Sequence, residues 1–358
     1  MPENKTHYFD VQDAVELFGL SLIESVKEFA RRRGLEPGYF APGSVSIALE
    51  VGGELYLRRL TRAIKFAEQN VRREHKLLHI VAIDGKETGL GAPPDWRFKL
   101  TRKSHLERLH VRSDKRLFIR YDIDHRTWRV FSEEQNIAVI WTADAALLPE
   151  WEDSFPLRDI LHWSTVNSAR QMLHAAAISS ANKGVLLAGP GGSGKSTTTA
   201  AAILNQMATA GDDFVMVDCT QKRAYALYDT IKLDDAGLSR LPIYRNSIGN
   251  PQRPQNQKAR IHLSETNADS LIREFDITAV LLPRISQAQK SSIHPAPKSD
   301  ALRALVPTTA FLLRGGEAET LKKAASLIRE IPTFHLELGI DPLESAGLIK
   351  SFLQERLV

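Results

Sequence analysis

Glycine, lysine and serine in the spacing Gly189-Pro-Gly-Gly-Ser-Gly-Lys-Ser196 share one chemistry, the holding of phosphate. Gly189, Gly191, Gly192 and Gly194 let the backbone curl so that successive N–H groups point inward at phosphate oxygens, with Ser193 and Thr197 completing the cradle. Lys195 has the reach for β- and γ-phosphates, and the Ser196 hydroxyl can ligate Mg²⁺. A glycine-rich turn carrying an incidental lysine is the plainer alternative. The context argues against it: an apolar run, Val185 to Ala188, precedes the glycines, and an alanine-rich helical segment follows. A second group with chemical capacity is Asp212-Asp213, 17 and 18 residues after Lys195 and opening the apolar run Phe214 to Val217. Carboxylates at the mouth of a strand suit Mg²⁺ coordination or general-base work, and otherwise are turn residues. His174 lies in an apolar run just before the strand of the phosphate loop. By itself it reads as a satisfied core histidine.

These residues need elements to position them. Val11 to Arg33 has helical spacing, Ser46 to Leu57 reads as a β-hairpin turning at Gly52-Gly53, and Leu60 to Arg73 reads as helix. Ile80 to Ile83 is expected as a strand and Gly89 to Pro94 as a loop. Arg116 to Tyr121, Trp128 to Phe131 and Ala138 to Trp141 alternate as a β-meander. Trp151 to Pro156 marks a junction, and Ser154 is expected to cap a helix running to about Met172. Leu173 to Ile178 then forms a strand carrying His174, antiparallel to the phosphate-loop strand across a short polar turn. The helix after the loop is expected to run through Ala200 to about Thr209, which returns Asp212 and Asp213 to the same edge of the sheet. Downstream, Asn246 to Gln257 reads as a surface loop or lid, Ile261 and Ile277 to Leu282 as strands, and Gln287 to Asp300 as a polar loop. Leu321 to Ile331 and Leu348 to Leu357 read as helices, with a strand at Phe334 to Leu338 between them. The expected fold class is α/β: residues 151–358 form a phosphate-loop domain with a central mixed sheet and flanking helices, after an N-terminal α+β domain at 1–150. The N-terminal half has no recognisable catalytic motif, and its strands would serve as a substrate- or membrane-facing platform or a dimer surface.

The length of 358 residues suits two domains, and 43% apolar with 25% charged residues is ordinary for a globular protein. One cysteine, Cys219, leaves no intrachain disulfide to form, which fits a reducing compartment. No apolar stretch approaches the roughly 18 residues of a membrane span, and the first residues lack a signal pattern, so the expected location is the cytoplasm. Between Arg97 and Arg129 eleven Lys/Arg face four Asp/Glu. That density suits either a solvated strand face or a surface drawn to phosphate groups, such as an anionic inner-membrane surface or a nucleic acid.

From about Leu161 onward the chain resembles the HPr kinase/phosphorylase-like kinases, relatives of phosphoenolpyruvate carboxykinase. The resemblance rests on His174, on Gly189 to Ser196, and on Asp212-Asp213. The segments Tyr225 to Leu233 and Ile331 to Gly339 look like parts of the wider HPr-kinase-related group. The resemblance implies ATP and Mg²⁺ as cofactors, with Ser196 and Asp213 on the metal and Lys195 with the loop amides on the β- and γ-phosphates. It implies Asp212 as the base for the acceptor hydroxyl, with His174 tuning its charge. Lys232, Lys258, Arg260 or Arg284 would stabilise the transferring phosphoryl group. Thr197-Thr198-Thr199 stands where HPr kinases carry an acidic residue, and their glycine- and arginine-rich signature is missing, which argues against HPr as the acceptor. The expected function is ATP-dependent phosphorylation of an alcohol, with a lipid alcohol favoured, as in the bacterial ceramide kinases that one lineage of this group resembles. Serine phosphorylation of a peptide or protein is the alternative, a non-catalytic nucleotide sensor a second. Nucleic-acid binding is disfavoured, because Phe98, Phe118, Tyr121 and Trp128 match no stacking motif.

Overall fold

Buried Val15, Ile23, Val26 and Ala30 recur at helical spacing in α1 (Thr6–Arg33) and give it one apolar face. The computed structural model describes residues 6–69, 77–93, 108–112 and 116–355. The chain divides into an N-terminal unit, residues 1–41 and 45–164, and a C-terminal unit, residues 42–44 and 165–358. In the first unit α1 is followed by β1 (Gly38–Phe40), β2 (Ile47–Gly52), α2 (Glu54–Thr61), β3 (Leu78–Asp84) and α3 (Gly85–Thr88). Then come β4 (Arg108–Arg112), β5 (Leu117–Asp122), β6 (Thr127–Ser132), β7 (Ile137–Thr142), α4 (Trp151–Ser154) and α5 (Arg158–Thr165). The sheet order is β1-β2-β3-β7-β6-β5-β4, with β2, β3 and β7 parallel and the meander antiparallel. Alternate strand residues such as Val81, Val130 and Val139 pack with α1. Phe118 stacks on Trp163 of α5, ring centroids 5.5 Å apart.

The C-terminal unit begins with β8 (Arg170–Leu173), β9 (Ala176–Ser180), β10 (Lys183–Leu187), α6 (Lys195–Leu204), β11 (Ala208–Gly211) and β12 (Val215–Asp218). It continues with β13 (Arg223–Tyr225), β14 (Thr230–Leu233), α7 (Asp235–Arg240), β15 (Ala259–His262), α8 (Leu263–Thr266) and β16 (Glu274–Ile285). The last elements are β17 (Ser292–Pro295), α9 (Lys298–Leu312), α10 (Glu317–Glu330), β18 (Thr333–Leu338) and α11 (Pro342–Glu355). A mixed sheet runs β11-β9-β10-β16-β13-β12-β8, with β18 on the far half of β16 and β17 on β18. β10, β16 and β18 are parallel, so their C-terminal ends share one edge. Val185, Leu187, Ala279, Leu281 and Leu336 pack with α6 and α11 in one core, while α9 contacts β16 and β8. β14 and β15 form a separate antiparallel ribbon against α6. The protein is an α/β fold with mixed sheets and flanking helices.

Several elements differ from their sequence-based expectation. Ser46 to Leu57 is a strand followed by a helix, because Tyr56 and Leu60 bury four residues apart and Glu54 pairs with Arg58 across one turn. The segment expected as helix from Leu60 is α2 followed by a 3₁₀ turn at Arg62–Ala67, and its end lies outside the described residues. Ser154 ends α4 rather than capping a long helix, and Met172 is on β8, where pairing with Met216 of β12 overrides local helical spacing. The helix of the phosphate loop stops at Leu204, and Thr209 lies on β11, its Oγ1 donating to Ala177 O at 2.8 Å. Gln287 to Asp300 contains β17, an exposed edge strand whose polar composition hides it, and the start of α9.

The basic stretch from Arg97 lies partly outside the described residues. Of its described cations, Arg129 is 4% exposed and pairs with Glu152, and Arg120 meets Asp159 at 2.7 Å. Phe118, Tyr121 and Trp128 are buried, so they offer no face for stacking bases, and Phe98 is outside the described residues. Among the described residues no helix is long and apolar enough to cross a membrane.

Candidate functional site

The turn from β10 into α6 sits at the shared C-terminal edge of the parallel strands, where open α/β sheets leave a crevice. Gly194 holds φ +100°, and a Cβ there would lie 2.4 Å from Leu338 Cδ1, so this position needs glycine twice over. At Gly191 and Gly192 an added Cβ would meet nothing within 4 Å, which leaves an open concavity above the loop. The first turn of α6 directs unshared N–H groups into it. Lys195 is buried and curls back, its Nζ donating to Gly189 O at 2.7 Å and Pro190 O at 3.1 Å. Burial lowers the Lys195 pKa, while Asp213 and Asp212 pull it the other way.

Asp212 and Asp213 follow β11, beside β9 at the same edge of the sheet. Lys232 of β14 grips the pair: its backbone N donates to Asp212 Oδ2 at 3.2 Å, and its Nζ meets Asp213 Oδ2 at 2.6 Å. The environments push the two carboxyls apart. Burial, then the Asp213 charge, raise Asp212 to about 6 against the opposing Lys232 amide and Ser196 hydroxyl. Burial works against Asp213 too, but the Lys232 charge and hydrogen bond, helped by His174, hold it below the usual carboxylate range. His174 occupies a bend between β8 and β9 rather than a strand position. Its N donates to Thr309 Oγ1 at 3.0 Å, and its Nε2 stands 3.9 Å from Asp213 Oδ1.

One cleft is lined by His174, Gly191, Gly192, Gly194, Lys195, Ser196 and Thr197 together with Asp213, Lys232 and Lys258. Gly189 and Ser193 belong to the loop but lie behind its lining, a Cβ on Gly189 falling 2.7 Å from Ser193 Oγ. Asp212 lies under the lining, 2% exposed, with Oδ1 lacking a protein hydrogen bond. Arg260 sits opposite Lys232 on the ribbon but off the lining, and Arg284 stands out of the cleft, 4.0 Å from Glu337. Asp234, Arg240 and Ser345 also line the cleft, and nothing in their spacing marks them, since tertiary packing alone brings them there. Among the described residues no three His, Cys, Asp or Glu side chains form a metal cluster. The donors fit Mg²⁺, which takes one or two carboxylates and completes its shell with substrate phosphates and water. Ser196 and Asp213, both on the cleft lining, and the open concavity over Gly191 and Gly192 are where such a group and a phosphate chain fit.

No protein-family model matches the chain, and no curated protein matches it. Among solved structures, the Hpr(Ser) kinase/phosphatase from Coxiella burnetii is similar at 12% identity with a TM-score of 0.30, over 52% of this chain and 99% of that one.

Proposed function

We propose that the C-terminal unit is an ATP-dependent phosphotransferase whose acceptor is an alcohol hydroxyl. The observation that carries the reading is convergence: a lysine in a glycine cradle and Asp213 line one cleft, and Asp212, of opposite pKa tendency, lies buried under that lining. Lys195 and the amides of Gly191 to Thr197 hold the β- and γ-phosphates. Ser196 and Asp213 hold Mg²⁺, which when bound supplies charge neutralisation at the phosphate oxygens. Asp212 takes the proton from the acceptor hydroxyl as its oxygen bonds to the terminal phosphorus and the bond to the bridging oxygen breaks, releasing ADP. Lys232, facing Asp213, and Lys258 at the lining balance the charge on the transferring group. His174, also on the lining, supports the Asp213 charge.

The ion pairing of Arg120 and Arg129 weakens the basic-surface case for a lipid acceptor. A ceramide-like lipid alcohol and a serine in a peptide or protein are therefore two arms of one assay. Terminally labelled ATP is incubated with lipid extract and with protein extract. Label is expected in one of them and absent with Asp212→Asn. Bound ATP with no labelled acceptor in any extract favours the nucleotide sensor instead. Turnover that survives Asp212→Asn removes Asp212 from the chemistry.

A further inference from the structure

Resting on the nucleotide reading, we infer that the base and ribose occupy the slot between α7 and the start of α11, with Arg240 as the cation that stacks on the base. The direction of the phosphate chain follows from the cleft itself. Asp213, held by Lys232 Nζ at 2.6 Å, lines the cleft with Lys195 and Ser196, so the transferable end lies on that side. Thr197, the next residue, turns toward α7: a Cβ on Gly237 would stand 3.2 Å from Thr197 Oγ1. A phosphate chain ending at the aspartates therefore leaves the cradle past Thr197, and the slot is what it meets there.

The slot has the chemistry for a flat heteroaromatic ring. Ala236 and Gly237 put only small groups on the α7 part of the lining, and Pro342 at the start of α11 adds an apolar surface to it. Ser345 is fixed, its Oγ engaged with Ser291 Oγ at 2.7 Å and Asp341 O at 3.2 Å. Arg240 lines the slot and is exposed, and its side chain makes no hydrogen bond or ion pair among the described residues, so its planar guanidinium is available to a ligand. The α7 wall is held in place: Asp234 Oδ1 accepts from Gly237 N at 2.7 Å, and Arg253 pairs with Asp235. A wall already ordered before the ligand arrives lowers the entropic cost of binding.

Calorimetric titration of the full chain with ATP and with inorganic tripolyphosphate tests this. Ala236→Phe fills the slot from an exposed position that burdens no core, and Arg240→Ala removes the stacking cation. Each variant is expected to weaken ATP by about 5- to 10-fold and to leave tripolyphosphate within about twofold. Equal weakening of both ligands makes Arg240 a phosphate ligand and overturns the slot, as does unchanged ATP affinity in both variants. Wild-type protein that binds neither ligand overturns the phosphate-loop reading itself, and the slot with it.

Discussion

Under the cleft lining, Asp212 is buried where its charge costs stability. Its carboxyl is 2% exposed and titrates near 6 against an ordinary 3.8. A carboxyl raised in the folded state contributes stability that is full below about 3.8, where it is protonated folded and unfolded alike, and lost as pH rises through 6. Asp212→Asn removes the ionisation and should stabilise the nucleotide-free protein by roughly 2–3 kcal/mol at pH 8, with a smaller gain at pH 5. Thermal melts at the two pH values measure it, and a gain that does not grow with pH contradicts the assignment. The same ionisation should give wild-type kcat/KM an acid limb centred near 6, the rate falling as the proton returns to Asp212. Arg129 is the opposite case, a buried charge with structural work only. Its guanidinium answers Glu152 and, at 3.6 Å, Asp159. Arg129→Met strands buried Glu152 and leaves Asp159 to Arg120 alone, and should cost roughly 3–5 kcal/mol in denaturant unfolding, far more than a surface pair would.

The turn between β10 and α6 is where an element's geometry can be separated from its chemistry. Gly194→Ala asks a left-handed residue to place a methyl on Leu338 and should cost about 1–3 kcal/mol while abolishing thermal stabilisation by ATP. Gly191→Ala meets open space, so its melting temperature without nucleotide should match wild type within about 1–2 °C. If both variants melt alike, the Leu338 contact is not what demands the glycine. The loop was legible because its residues are contiguous and its flanking apolar run and helix are local features. The meander of β5, β6 and β7 was legible for the same reason, since its alternation survives in short segments. What the sequence hid depends on distant partners. Met172 is a strand residue only because β12 lies alongside, and Thr209 only because β9 does. β17 is polar because it is an edge, so nothing apolar announces it. In the site, the loop and the Asp212-Asp213 pair were within reach of spacing arguments, whereas Lys232 entered only as one of four cations that the resemblance implied. Arg240, Asp234 and Ser345 were out of reach, because α7 and α11 are far from the loop in sequence and meet it only through packing.

Taken over the whole chain, the residues that line the cleft all belong to the C-terminal unit, which nevertheless does not begin at residue 165 alone. Pro42 to Ser44 are part of it. Gly43 N donates to Ala226 O at 2.7 Å, Arg170 Nη1 donates to Ser44 O at 2.5 Å, and a Cβ on Gly43 would press within 2.8 Å of Met216 and Leu227 side chains. A fragment of residues 165–358 loses those hydrogen bonds and bares the patch around Met216 and Leu227, but keeps the phosphate loop, the aspartates and the β14–β15 ribbon. Two hydrogen bonds at about 1 kcal/mol each amount to roughly 2 kcal/mol, or about 4–8 °C in Tm for a unit of this size. The fragment is therefore expected to fold, to melt that much below the corresponding transition of the full chain, and to bind ATP with unchanged affinity. Fusing residues 38–48 ahead of residue 165 through a flexible linker should recover part of the lost Tm, whereas the same fusion with Gly43→Val should not. A fragment that folds yet has lost ATP affinity would place part of the nucleotide site outside the C-terminal unit, and with it the reading of the cleft as self-sufficient would fail.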